Sequence, residues 1–182
     1  MDEHYFTADP AVAFRRSPVS VKVWGHELDL VTGSGVFAQG RLDVGTAVLF
    51  RETEPPTERA STFLDLGCGY GVIGLALALA VPGARVWAVD VNERAVLLAN
   101  ENAASLGVAD RYTAVTPPGV PADAVFDEIW SNPPIRVGKQ ALHDLLLTWL
   151  PRLSADGRAV MVVGKNLGAD SLQRWLDDRG FP

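Results

Sequence analysis

The fold is decided by the stretch Thr62-Phe-Leu-Asp-Leu-Gly-Cys-Gly-Tyr-Gly71 and its continuation Val72-Ile-Gly-Leu-Ala-Leu-Ala-Leu-Ala80. Its first five residues form a short apolar run, which is typical of a buried strand. The run after Gly71 is rich in Ala and Leu, which favour a helix. The glycines between the two runs permit a sharp turn and let a ligand approach the main chain. The stretch therefore predicts a strand, a ligand-binding turn and a helix.

Short apolar runs continue to alternate with helix-length segments along the rest of the chain. After the first strand, strands are predicted at 85–90, 112–115, 126–131 and 158–163, and helices at 72–80, 93–106, 139–150 and 170–179. Repeated strand–helix–strand units form right-handed crossovers in a mostly parallel sheet that carries helices on both faces. The sequence therefore predicts an α/β fold, a Rossmann-like three-layer α-β-α sandwich.

The first sixty residues follow a different pattern. Apolar and polar residues alternate over 19–23 and again over 28–32, and Trp24-Gly25-His26-Glu27 between them is expected to form the turn of a β-hairpin. Asp43 is expected to cap a short helix over 44–50. We expect a hairpin that is an annex of the main domain.

The length of 182 residues suits one domain with a sizeable core. We expect residues 1–60 to form the hairpin and leading segment of that domain and residues 61–182 to form its core. The hydrophobic fraction of 48% excludes a disordered tail or a polar linker.

Composition also excludes several kinds of site. The single cysteine, Cys68, excludes a disulfide framework and a Cys-rich zinc site, and the three scattered histidines show no metal-ligand spacing, so no metal is expected. No apolar run reaches the length of roughly 18 residues that a membrane span needs. The first residues lack the basic and then apolar segments of a signal peptide, so a cytoplasmic protein is expected. The net charge of −6 argues against a large phosphate-binding surface but leaves room for a small nucleic-acid site.

The glycine-rich turn allows two interpretations. Gly69, Gly71 and Gly74 match G-x-G-x-x-G, and Asp90 lies at about the distance expected of a ribose-binding acid, as in nicotinamide-dependent oxidoreductases. Asp65 favours a different ligand, because a buried carboxylate needs a cationic partner. S-adenosylmethionine carries an ammonium group and no phosphate. A purely structural role, with Asp65 capping the turn and Asp90 capping the next helix, is the third interpretation.

A second motif, Asn132-Pro133-Pro134, follows the fourth predicted strand of the sheet. The Asn132 side-chain oxygen and the Pro133 carbonyl oxygen would offer two acceptors side by side. Two acceptors suit an amine with two N–H donors, such as an exocyclic nucleobase amine or a carboxamide. The alternative is that Asn132-Pro133-Pro134 forms only a rigid turn.

The glycine-rich stretch resembles the first motif of class I S-adenosylmethionine-dependent methyltransferases. The resemblance implies that Asp65 and the main chain of the turn hold the methionine moiety, that Asp90 binds the ribose hydroxyls, and that Val91 and Asn92 flank the adenine. The turn residues concerned are Gly67, Cys68, Gly69 and Gly71.

The segment Asn132-Pro-Pro-Ile-Arg-Val-Gly-Lys139 is similar to a variant of the Asn-Pro-Pro motif that is found among relatives of the ribosomal RNA small subunit methyltransferase C group. Three leading segments resemble the same group: His4-Tyr-Phe6, Gly35-Val-Phe37 and Leu42-Asp-Val-Gly-Thr46.

This second resemblance implies methyl transfer to guanine N2 of ribosomal RNA. Asn132 and Pro133 would be catalytic, and Pro134, Ile135 and Arg136 would contact the substrate. Another nucleobase, a protein glutamine amide, an oxidoreductase and a non-catalytic binding module remain the alternatives.

Four expectations concern less prominent features. His143 is expected to be an ordinary surface residue, Cys68 a small packing residue rather than a nucleophile, and Asp127 a capping or sheet-edge acid. Class I methyltransferase sheets usually close with an antiparallel strand pair, for which the sequence after Gly180 leaves no room. We therefore expect that this pair is missing and that the fifth strand of the sheet lies at an edge.

Overall fold

The computed structural model describes residues 13–38, 40–57, 60–134, 137–165 and 168–181. In chain order, the elements are β1 (Arg16–Val23), β2 (His26–Gly33), α1 (Val44–Glu52), β3 (Thr62–Leu66), α2 (Val72–Ala80), β4 (Arg85–Val89), α3 (Glu93–Ser105), β5 (Tyr112–Val115), β6 (Phe126–Ser131), α4 (Lys139–Trp149), β7 (Leu153–Met161) and α5 (Ala169–Asp177). None of the helices within these ranges has the length and apolar character that crossing a membrane requires.

Five strands form a parallel sheet in the order β5-β4-β3-β6-β7. The chain builds outward from β3 through β4 to β5 and then returns to the other side of β3 with β6. Ligands of open α/β sheets bind at such a reversal, beyond the carboxyl ends of the strands. The topology thus places the glycine-rich turn after β3 beside the Asn132 segment after β6.

The sheet separates two apolar layers. Phe63 of β3 packs with α2, α3 and the hairpin, whereas Leu64 and Leu66 pack with α4 and α5 on the opposite face. This alternation follows from the two-residue period of a strand. The predicted three-layer sandwich is confirmed.

Strands β1 and β2 form the predicted antiparallel hairpin. Its turn is shorter than expected: Trp24 and Gly25 alone form it, with φ angles of 48° and 84°, and His26 already belongs to β2. Two central residues with positive φ match the right-handed twist of a hairpin. The hairpin is joined to α3 by Asn102, whose side chain accepts from Val31 N at 2.8 Å and donates to Val31 O at 2.9 Å.

The last strand differs from the prediction. It was expected over 158–163, after a turn at Asp156-Gly157, but β7 begins at Leu153 and ends at Met161. Phe126 pairs with Leu153 and Glu128 with Arg158, so the extra residues of β7 lie between these pairs as a bulge or irregularity of the strand, where a Cβ at Gly157 would lie 3.0 Å from Ser154 N and O. β7 lies at one edge of the sheet, as predicted.

The expectation for His143 was wrong. Its side chain is buried, with 8% of its surface exposed, and its ring stacks on Trp175 with centroids 3.7 Å apart. The helical period of α4 turns His143 towards α5, a contact that the sequence of α4 alone does not reveal. Of the two roles expected for Asp127, the structure shows the capping one, since its Oδ2 accepts from the main-chain N–H groups of Ser61 and Thr62 at the start of β3, whereas β6 itself lies inside the sheet.

Candidate active site

Three strands deliver the predicted site residues to one edge of the sheet. The glycine-rich turn follows β3, Asp90 follows β4, and Asn132 follows β6. All three strands are parallel, so their carboxyl ends lie at the same edge.

Left-handed backbone gives the glycine-rich turn its shape. Gly67, Gly69 and Gly71 have φ angles of 76°, 55° and 94°, which residues with a Cβ rarely adopt. A Cβ at Gly71 would also lie 2.6 Å from Tyr112 Oη. The start of the turn is fixed to β4, because the N–H groups of Gly67 and Cys68 both donate to Val89 O, at 2.8 and 3.0 Å. The turn therefore presents a rigid main-chain surface.

Asp65 is fully buried in β3. Its Oδ2 accepts from Gly74 N at 2.7 Å, whereas its Oδ1 has no hydrogen-bond partner among the described residues. Burial raises the pKa of Asp65 from 3.8 to about 7; the Gly74 N–H opposes this effect and the Asp90 carboxylate adds to it. The capping interpretation accounts for Oδ2 alone. The free lone pairs of Oδ1 suit a cationic donor.

Asp90 joins the turn to the start of α3. Its Oδ2 accepts from Gly69 N and its Oδ1 from Asn92 N, both at 2.9 Å. Burial of the carboxyl raises its pKa, and the hydrogen bonds from Asn92, Gly69 and Val91 oppose that effect. Each oxygen keeps lone-pair capacity for a further donor.

The two residues after Asp90 differ in exposure. The apolar side chain of Val91 is 46% exposed at this edge. Asn92 is buried: its Oδ1 caps α3 by accepting from Arg94 N, and its Nδ2 donates to Gly35 O at 2.6 Å. The Asn92 amide thus serves the fold, and contact with an adenine through this residue remains a prediction.

The side chain of Asn132 is hydrogen-bonded to the N-terminal end of α1. Its Nδ2 donates to Asp43 Oδ2 at 2.7 Å and to Thr46 Oγ1 at 3.0 Å. Asp43 also caps α1, as predicted, by accepting from Gly45 N and Thr46 N. Sequence reasoning assigned Asp43 the capping role alone and missed its contact with Asn132. The only signal was the resemblance of residues 42–46 to a segment of known methyltransferases.

One cleft unites the two motifs. Its lining includes the turn residues Gly67, Cys68 and Gly69 together with Asp43, Thr46 and Asn132. Phe37, 41% exposed, adds an aromatic surface. Asp65 and Asp90 are not among the lining residues: Asp90 is linked to the cleft by the hydrogen bond from Gly69 N, and Asp65 accepts from Gly74 N in α2.

Of the other residues predicted to contact the substrate, Pro134 lies next to the glycine-rich turn. Pro134 packs over the turn, since a Cβ at Gly67 would lie 3.9 Å from Pro134 Cδ. Ile135 and Arg136 lie outside the described residues.

Cys68 is buried and its thiol is free. Burial raises the pKa of this thiol well above its usual range, which suits a packing residue. Within the described ranges, no group of His, Cys, Asp and Glu side chains could hold a metal ion.

The sequence is similar to known methyltransferases. The uncharacterized protein YbxB of Bacillus subtilis is 35% identical over 98% of this chain and 89% of its own length. The ribosomal RNA small subunit methyltransferase C of Colwellia psychrerythraea is 31% identical over 85% of this chain. The ribosomal RNA large subunit methyltransferase G of Streptomyces avermitilis is 37% identical over 74% of it. This chain spans 43% and 37% of the lengths of those two enzymes.

The fold is shared with a solved methyltransferase. A T. thermophilus 16S rRNA N2 methyltransferase, in complex with AdoMet and guanosine, superposes with a TM-score of 0.73 at 24% identity, over 92% of this chain and 46% of that one. A family model described as "Methyltransferase small domain" matches residues 27–178. The chain therefore belongs to the methyltransferase small domain family.

Proposed function

We propose that the protein transfers a methyl group from S-adenosylmethionine to an exocyclic amine, and that this amine is N2 of a guanine in small-subunit ribosomal RNA. The observation that carries the proposal is the shared cleft, which is lined by both the glycine-rich turn and Asn132. A cofactor site and an acceptor site must adjoin for direct group transfer.

The turn and its two carboxylates fit S-adenosylmethionine. Asp65 Oδ1, buried and without a partner among the described residues, offers an acceptor for the ammonium group. Asp90 offers lone pairs to the ribose hydroxyls, and Val91 an apolar surface to the adenine. A Cβ at Gly69 would meet no atom within 4 Å, so the main chain there is open to a ligand.

The same residues argue against a dinucleotide. A nicotinamide cofactor would bring a doubly charged pyrophosphate to the turn after β3. When ionised, Asp65 places a second negative group next to that turn, and among the described residues only the Gly74 N–H donates to it. An oxidoreductase would also give the Asn132 amide no role beyond its hydrogen bonds to Asp43 and Thr46.

The chain's part in the reaction is to hold and orient the amine. When bound, S-adenosylmethionine supplies an electrophilic methyl group on a sulfonium. Asn132 Oδ1 and the Pro133 carbonyl oxygen accept the two hydrogens of the acceptor amine, which draws electron density onto nitrogen and points its lone pair along one direction. Alignment and electrostatics of this kind supply most of the rate, and no strong base is needed before transfer.

The choice of RNA rests on the names of the relatives, several of which are ribosomal RNA methyltransferases. A flipped guanine presents the planar amine that the cleft requires, and Phe37 offers a surface on which a base can stack. A cytoplasmic location accompanies a ribosomal substrate and stays a prediction. A protein glutamine amide presents the same two hydrogens and is the second candidate.

Transfer of a tritiated methyl group tests the proposal. The purified protein is incubated with labelled S-adenosylmethionine and with separate RNA and protein fractions from cells that lack it. We expect label in RNA. Label confined to protein would overturn the RNA assignment. Calorimetry showing tight binding of a nicotinamide cofactor and none of S-adenosylmethionine would overturn the reaction class.

A further inference from the structure

The two hydrogens of the Asn132 amide are both engaged by α1. Nδ2 donates to Asp43 Oδ2 at 2.7 Å and to Thr46 Oγ1 at 3.0 Å, residues that lie 89 and 86 positions earlier in the chain. An amide has two donor hydrogens and one acceptor oxygen. With both hydrogens used, Oδ1 is the atom of this side chain that remains for a substrate.

Chemistry decides which end of the amide faces Asp43. Asp43 Oδ2 already accepts from Gly45 N at 2.7 Å and from Thr46 N at 3.2 Å. A carboxylate has no hydrogen to donate, so an amide oxygen at this place would meet only lone pairs. A flipped Asn132 is therefore excluded by Asp43 and merely tolerated by Thr46, whose hydroxyl can donate as well as accept.

The close approach of α1 to Asn132 depends on Gly45. A Cβ there would lie 3.1 Å from Asn132 Oδ1, 3.2 Å from Asn132 Nδ2 and 2.9 Å from Asp43 Oδ2. Thr46 is buried, with 4% of its surface exposed. The first turn of α1 is thus fitted closely around this one amide.

We propose that Asp43 is a positioning residue, which holds the Asn132 amide in the one orientation that presents Oδ1 to the acceptor amine. The inference rests on the proposed function. In the flipped orientation Nδ2 would face the amine, a donor would meet donors, and one of the two acceptors would be lost. Asp43 thereby makes the cleft selective for an acceptor that donates two hydrogens.

Helix capping alone is the competing explanation, and Asp43→Ser separates the two roles. Ser is a good N-cap, because its side-chain oxygen can accept from Gly45 N and Thr46 N, and its side chain is too short to reach Asn132. Asp43→Asn does not separate them, because the amide oxygen that takes the place of Oδ2 in the cap can also accept from Asn132 Nδ2.

A double variant gives the sharper experiment. Asn132→Asp places a second carboxylate where Nδ2 now lies 2.7 Å from Asp43 Oδ2. The double variant Asp43→Ser/Asn132→Asp removes the opposing charge and keeps the cap. The Thr46 hydroxyl can donate to one oxygen of the new carboxylate, and the other oxygen faces the acceptor amine. A role confined to the helix cap predicts no such rescue.

We measure kcat and KM on the acceptor that the wild-type protein methylates, together with cofactor affinity and thermal unfolding. For Asp43→Ser we expect kcat to fall 10- to 100-fold with cofactor affinity and unfolding temperature near wild type. We expect the double variant to exceed Asn132→Asp in kcat by at least tenfold. A wild-type kcat for Asp43→Ser, or a double variant no better than Asn132→Asp, would overturn the proposal.

A readout that is independent of methyl transfer accompanies this cycle. The unfolding temperature of Asn132→Asp should fall and that of the double variant should recover. Additive unfolding effects would show that the pair does not form and would overturn the positioning role. If the wild-type protein methylates nothing, the proposed function fails, while the unfolding cycle still decides whether Asp43 governs the Asn132 side chain.

Discussion

The main-chain N–H of Gly74 donates a 2.7 Å hydrogen bond to Asp65 Oδ2, which ties the first turn of α2 to the end of β3. A side chain at Gly74 would disturb this contact, because its Cβ would lie 3.0 Å from Asp65 Oδ2. Asp65 is thus held in place by one oxygen while the other stays available. Any ligand that binds the second oxygen should therefore respond to the ionisation of Asp65.

Cofactor affinity should depend on the ionisation of Asp65. Burial raises its pKa to about 7, and an ammonium group requires the ionised form. We expect the affinity for S-adenosylmethionine to rise about tenfold per pH unit below pH 7 and to level off above it. Calorimetry between pH 5.5 and 7.5 measures this dependence. Equal affinities at the two ends would contradict it, and Asp65→Asn, which cannot ionise, should remove most of the slope.

The stability of the ligand-free protein should change in the opposite direction. The pKa of Asp65 is higher in the folded than in the unfolded state, so the folded state binds the proton more tightly. The stabilisation is complete below pH 3.8 and is lost as pH rises through about 7. Urea unfolding of wild type and Asp65→Asn from pH 5 to pH 8 measures it. We expect the gap in stability between the two proteins to shift in favour of Asp65→Asn as pH rises.

Asn132→Ala should separate binding from turnover. The side chain lines the cleft together with the glycine-rich turn, and the proposed function assigns Asn132 to the acceptor and the turn to the cofactor. We expect cofactor affinity within about threefold of wild type and a kcat lower by roughly 100-fold, the order of magnitude of one lost positioning contact. A titration with S-adenosylmethionine and a single-turnover assay measure the two quantities. Undiminished methylation would exclude the mechanism.

Gly71→Ala should destabilise the protein. Gly71 has a φ of 94°, and an added Cβ would lie 2.6 Å from Tyr112 Oη and 3.1 Å from Ala99 Cβ. We expect a loss of roughly 2–4 kcal/mol in the free energy of unfolding. The control is Gly83→Ala, where the new Cβ would meet no atom within 4 Å. Similar unfolding midpoints for the two variants would contradict the prediction.

Asn102 should contribute far more to the free energy of unfolding than its neighbour Glu101. Its buried side chain donates to Tyr70 O and bridges Val31 N and Val31 O, so removal leaves main-chain groups unpaired. We expect Asn102→Ala to cost roughly 2–4 kcal/mol of unfolding free energy. Glu101→Ala removes an exposed ion pair with Arg16 and should cost less than about 1 kcal/mol. Denaturant titration compares them, and equal losses would count against this role of Asn102.

Local patterns predicted most of the fold, because the central strands are short, mainly apolar runs, interrupted by Asp65 in β3 and by Asp127 and Glu128 in β6, and each helix has a recognisable cap or stop. The start of β7 was misplaced for a physical reason. A glycine such as Gly157 commonly marks a turn between elements. Here β6 pairs with β7 on both sides of Gly157, and pairing between strands cannot be read from the sequence of one strand.

The site was predictable wherever a motif is contiguous. Asp65, Gly67–Gly71 and Asn132 each belong to one short stretch, and the parallel topology brings those stretches together. Asp43 belongs to a different stretch, and its capping role already explained it. Its second role depends on how α1 packs against the end of β6, across 89 residues of chain. Contacts of that range follow from tertiary packing and leave no local pattern.

Nucleoside mass spectrometry of ribosomal RNA is the decisive test of methyl transfer to guanine N2. Small-subunit RNA from cells that lack the protein is incubated with the purified protein and S-adenosylmethionine, digested and compared with untreated RNA. We expect a gain of N2-methylguanosine at one position with the wild-type protein and none with Asn132→Ala. A gain of a ring- or ribose-methylated nucleoside, or an equal gain of N2-methylguanosine with Asn132→Ala, would contradict it.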